Sequence, residues 1–149
     1  MVTASTTSWL RRSFLIEEDG KLVGEIDGAG WIERAAATVG KSTYAFYRET
    51  LFKANYVMER DGQIVARAKN LSLFAPRFDV TWEDHTLLLR KLSLWTQTFG
   101  LFESDLQIGT VRPVGIFRRS ATLEGASSVP LDIRVFLVWV VFMTWKRQS

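Results

Sequence analysis

The chain of 149 residues has no cysteine and a single histidine. Without thiols it can build no disulfide framework, thiolate metal site, cysteine nucleophile or palmitoylation site. His85 stands next to Glu83 and Asp84, in a stretch that reads as a turn. A catalytic triad needs a nucleophile held against its base, and no serine here has a Gly-x-Ser-x-Gly context, so His85 is expected to be a solvated turn residue. No acidic calcium loop of the Asp-x-Asp/Asn-x-Asp/Asn-Gly type is present. Neither is a βαβ pattern, which bears on Ala35-Ala-Ala-Thr-Val-Gly-Lys-Ser42, a stretch similar to the tail of a phosphate-binding P-loop. That motif requires a strand before it and a helix after it, whereas Ser42–Arg48 alternates like a strand; the expectation is a turn between strands. Met1–Ser8 has neither a basic region nor an apolar core of the secretory kind. These eight residues read as a short tail before one domain at 9–149, and the expected location is cytoplasmic, with peripheral membrane association as the alternative.

What the sequence does have is apolar material. Hydrophobic residues make up 47% and charged residues 23%, with 6 Trp and 10 Phe, a balance that argues for a packed core and against disorder. The net charge of +3 leans weakly toward an anionic partner. From Val135 to Met143 no residue is polar, so a helix here has no polar face and must be wrapped on all sides. Leu131 to Trp145 spans roughly 22 Å at about 1.5 Å per residue, short of the ~30 Å hydrocarbon core of a bilayer. Asp132 and Arg134 lie near its start. The expectation is a helix over 130–147, with Pro130 in its first turn, buried inside the protein rather than spanning a membrane.

Ahead of that helix one hairpin recurs. Phe14-Leu-Ile-Glu-Glu-Asp-Gly-Lys-Leu-Val-Gly-Glu-Ile26 aligns with Tyr56-Val-Met-Glu-Arg-Asp-Gly-Gln-Ile-Val-Ala-Arg-Ala68, 42 residues later. It aligns more loosely with Phe99-Gly-Leu-Phe-Glu-Ser-Asp-Leu-Gln-Ile-Gly-Thr-Val111, a further 43 on. Asp19-Gly20 and Asp61-Gly62 suit type I′ turns. The small residues Gly24, Ala66 and Gly109 imply a close approach to another backbone or to the central helix. Arg77–Glu83 alternates strictly, with Phe78, Val80 and Trp82 on one face. Further strands are expected at Trp31–Arg34, Tyr44–Arg48, Thr86–Arg90, Leu92–Gln97 and Gly115–Leu123. So many short strands with one non-amphipathic helix predict a mainly β fold, a closed antiparallel barrel of about twelve strands with the hydrophobic C-terminal helix along its axis.

The Asp-Gly hairpins, the basic strand Ala66-Arg-Ala-Lys69, the Phe-x-Val-x-Trp strand and the terminal apolar helix together resemble the tubby C-terminal-like superfamily. That group includes tubby-like proteins, phospholipid scramblases and LURP-one-related proteins. The resemblance runs from about Trp9 onward and is closest to the small LURP-one-like members. It implies a twelve-stranded barrel around a central helix and a bias toward phosphoinositides or other anionic lipids at a basic surface; it does not imply catalysis, and the expectation is a non-enzymatic protein with no cofactor. In the tubby branch a Lys-x-Arg pair on a strand holds the lipid phosphates; Arg67-x-Lys69 has the reverse order here. Candidate anion-binding residues are Arg67, Lys69, Arg90 and Arg118, drawn from basic pairs that also include Arg11-Arg12 and Lys146-Arg147. The alternatives are a scaffold for another protein and a scramblase-like membrane-associated protein. Nucleic acid is not an expected partner, because Phe14, Tyr56, Phe78 and Trp82 occupy alternating apolar positions that suit a core.

Overall fold

Five two-residue turns organise the chain, each at a residue pair that accepts positive φ. In the computed structural model, Asp19 and Gly20 have φ of 52° and 84°, and Asp61 and Gly62 have 52° and 77°, the type I′ signature. Gly40, Glu83 and Ser104 supply a positive φ at the remaining three turns. The structure describes residues 1–8, 13–28, 34–49, 54–72, 75–93, 95–114 and 120–148.

In chain order the strands are β1 (Val2–Ser8), β2 (Ser13–Glu18), β3 (Lys21–Gly28), β4 (Arg34–Val39), β5 (Ser42–Arg48) and β6 (Tyr56–Arg60). They continue with β7 (Gln63–Asn70), β8 (Arg77–Trp82), β9 (His85–Lys91), β10 (Phe99–Glu103), β11 (Leu106–Val114) and β12 (Ser120–Gly125), and α1 (Leu131–Gln148) follows. Each strand pairs antiparallel with its neighbours in sequence, and β1 pairs with β12, so the sheet closes into a twelve-stranded barrel. Closure leaves no unpaired edge. Because the meander is regular, all five tight turns lie at one end and the longer connections leave from the other.

Two expectations need correction. Residues 1–8 are no tail: Val2–Ser8 is the strand that seals the barrel, with Val2 opposite both Glu18 and Leu123. Leu92–Gln97 is no strand: the Leu92 N–H donates to the Thr98 carbonyl at 2.9 Å, closing a loop, and the Trp95 N–H donates to Ser93 Oγ. The P-loop-like stretch is strand β4, the Gly40-Lys41 turn and the start of β5. The expected strand at Trp31–Arg34 falls mostly outside the described residues, as does the first half of Gly115–Leu123.

The recurring hairpins are β2–β3, β6–β7 and β10–β11, four strands apart, which gives the ring an approximate threefold repeat. Each carries a β-bulge at the same place, at Val23, Val65 and Ile108, where the register slips by one residue. The small residue follows the bulge, and at Gly24 and Gly109 the near neighbours belong to the next strand and its turn rather than to the helix. A Cβ on Gly24 would lie 2.1 Å from the Thr38 carbonyl oxygen of β4.

The helix enters from the tight-turn end. Pro130 stands just ahead of it and its carbonyl accepts the first helical bond from the Arg134 N–H. Asp132 accepts a 2.7 Å hydrogen bond from Tyr44, and Arg134 pairs with Glu18 at 2.9 Å while donating to the Val129 carbonyl. Every residue from Val135 to Phe142 is buried. Near the far end Phe142 stacks on Phe14 at 4.4 Å and Trp145 Nε1 donates to the Gln97 carbonyl. The helix runs closest to β12, β1 and β4. Their inward residues include Ala121, Ala4, Ala35 and Ala37, small enough to let a helix backbone approach. This accounts for the alanine run that resembles a P-loop. The wider opposite side is filled by rings: Trp139 meets Phe46 at 5.5 Å and Tyr56 edge-on at 5.3 Å. Tyr56 and Phe78 meet across β7 at 6.1 Å, over the inward Ala68.

A basic wall on strands β7 to β9

With the interior filled by the helix, the side chains left for any contact are those on the outside of the wall. On β7 the inward Ala66 and Ala68 alternate with Arg67 and Lys69, which are exposed. On β8 the same alternation sends Arg77 outward, and on β9 it does so for Arg90, because Phe78 and Leu89 point in. The Glu83-Asp84 turn fixes the register so that Arg77 stands directly opposite Arg90. Three of the four candidate residues, Arg67, Lys69 and Arg90, are thus gathered on one outer wall. Arg118 lies outside the described residues.

The four cations of this wall are in different electrostatic states. Arg67 is paired with Glu49 at 3.1 Å, which cancels most of its outward field. Lys69 has Asp79 across the register on β8. The Arg90 guanidinium lies over the Phe102 ring, 4.4 Å from its centroid, and among the described residues it forms no ion pair. The Phe102 ring itself lies across Gly100, where an added Cβ would approach it to 2.7 Å. Among the described residues Arg77 forms no ion pair. Like charges directly opposite each other on neighbouring strands are unfavourable, so the Arg77–Arg90 pair carries a standing repulsion that a bound anion would relieve. Arg77 was not among the candidates, although two signals reach it in the sequence: the alternation of 77–83 and the turn that follows.

Elsewhere the candidate chemistry does not assemble. His85 begins β9, exposed, with its ring stacked on Trp82 at 5.1 Å. Among the described residues no three His, Asp or Glu converge on a metal position. Two tyrosines bond to carboxylates: burial and then the Asp132 hydrogen bond raise the Tyr44 pKa, whereas for Tyr47 the Glu59 hydrogen bond is the larger cause and burial the smaller.

Comparisons with protein families, with curated proteins and with solved structures return no match. The wall, its charge and its place on the barrel are what a functional reading has to rest on. Among the described residues no helix is long and apolar enough to cross a membrane.

Proposed function

We propose that this protein is a non-enzymatic binding module for anionic lipid headgroups, a tubby-like barrel that associates peripherally with a membrane. The observation that carries this reading is the outward Arg77–Arg90 pair with Lys69 one strand away, a local excess of positive charge on a rigid sheet. A phosphate or carboxylate resting on this wall would be attracted by both guanidinium charges, and each arginine offers the planar donor fork that suits such an anion. The wall is open rather than concave, which suits a headgroup presented by a surface better than a small molecule that must be enclosed.

The test is co-sedimentation with vesicles of phosphatidylcholine alone, with phosphatidylserine, and with a phosphoinositide, at low and high salt. Binding to the two anionic compositions, lost in salt and weakened in R77Q and R90Q, is the expected outcome. Each cation removed near an anionic surface takes away about 1 kcal/mol. Failure to bind any vesicle would refute the lipid reading and favour a protein partner.

A further inference from the structure

The barrel is electrically polarised along its axis, and from this polarity we infer that the rim at the long-connection end is the face that meets the anionic bilayer, with Trp95 entering the interface. This rests on the lipid reading above and fixes the orientation that reading leaves open.

The tight turns carry Asp19, Asp61, Asp84 and Asp105, with Glu18 and Glu103 at the strand ends beside them. Cations stand among them: the Met1 amine pairs with Asp19, Arg60 with Asp61 and Arg134 with Glu18, which leaves Glu83, Asp84, Glu103 and Asp105 to outnumber Lys21 and Lys41. At the opposite end the strands start or stop on Arg34, Arg48, Arg77 and Lys91, and the helix finishes there with the exposed Lys146 and Arg147. The described acids at that end are Asp27, which accepts from Ser13, and Glu49, which is taken by Arg67. An anionic surface therefore attracts one end and repels the other, and the two effects select the same orientation.

Apolar exposure at the same rim supplies the second term. Trp95 is 93% exposed, an arrangement unfavourable in water and common where an indole sits at headgroup level. Leu71, also exposed, follows β7 at this end. Leu71 bonds through its N–H to the Arg77 carbonyl, Lys91 precedes the loop that carries Trp95, and Trp145, next to Lys146 and Arg147, bonds to Gln97 of that loop, so apolar area and positive charge share this rim, the combination found in segments that bind acidic interfaces. The basic wall is continuous with the rim, since Arg77 belongs to both.

The absence of cysteine makes the orientation measurable, because a single introduced thiol is the only one in the chain. W95C, T81C and D61C, each labelled with an environment-sensitive fluorophore, report on the rim, the side wall and the tight-turn end. On phosphatidylserine vesicles the label at 95 is expected to shift to the blue and to be quenched by lipids brominated in the acyl chain, while those at 61 and 81 stay in water. R77Q and K91Q should each lower vesicle partitioning about fivefold at low salt. Vesicle-bound protein whose label at 81 or 61 is shielded while 95 remains in water overturns the orientation and leaves lipid binding standing. Protein that binds no vesicle overturns both.

Discussion

Replacing Trp139 with alanine tests whether the helix is truly the core of this barrel. Trp139 is 2% exposed and touches the rings of Phe46, Tyr56 and Phe136 at 5.5, 5.3 and 6.3 Å. Truncating a buried aromatic costs about 3–5 kcal/mol, and the surrounding wall, locked by closure, has little room to collapse into the void, which puts the loss near about 5. For a chain of this size each kcal/mol lowers the melting temperature by about 2–4 °C, so W139A should melt roughly 10–20 °C below the wild type. The urea midpoint should fall by about 2 M or more if the slope is ~2 kcal/mol/M. The same substitution at the 93% exposed Trp95 provides the control and should stay within about 0.5 kcal/mol of wild type. Calorimetry and urea titration followed by circular dichroism measure both. If W139A melted within 3 °C of W95A, the helix would not be packed inside the wall.

Gly24→Ala would place a methyl 2.1 Å from a backbone carbonyl that cannot rotate away, and should destabilise the fold by about 3 kcal/mol or more. Gly62→Ala, with open space but a φ of +77°, should lose only about 1 kcal/mol; equal effects on urea midpoints would contradict the bulge packing. The hydrogen bond of Tyr44 to Asp132 predicts a pH dependence. Because the folded-state pKa is raised above the ordinary 10.0, its contribution is complete below pH 10 and is lost as pH climbs through the raised value. Tyr44→Phe should lower stability near neutrality by about 1 kcal/mol and flatten part of the alkaline decline, with Tyr47, whose pKa is also raised, contributing in the same direction. Indistinguishable alkaline slopes in the two proteins would refute that role for Tyr44.

Local chemistry made much of this architecture readable. The Asp-Gly pairs announced their turns, because few residues tolerate consecutive positive φ, and Val135–Phe142 announced its burial by having no polar face. Strand β1 escaped because Val2–Ser8 alternates small and polar residues; it is a strand only through partners at both ends of the chain, Glu18 and Leu123. Leu92–Gln97 misled in the opposite sense: the apolar letters Leu92 and Trp95 are exposed, in a loop closed by the bond from Leu92 to Thr98. For the candidate wall, period two correctly sent Arg67, Lys69 and Arg90 outward. Their electrostatic state was not legible, since Glu49 and Phe102 reach Arg67 and Arg90 from other strands.

The pairing of β1 with β12 has a consequence for how the molecule comes into being. During synthesis β1 must wait for a partner about a hundred and twenty residues later, and the helix that the wall encloses follows that partner. Until then a growing chain has a curved sheet with two open margins and a bare apolar concavity. Exposed apolar surface and unpaired strand margins are the features that draw chaperones to partly folded chains and that allow identical strands to be exchanged between copies.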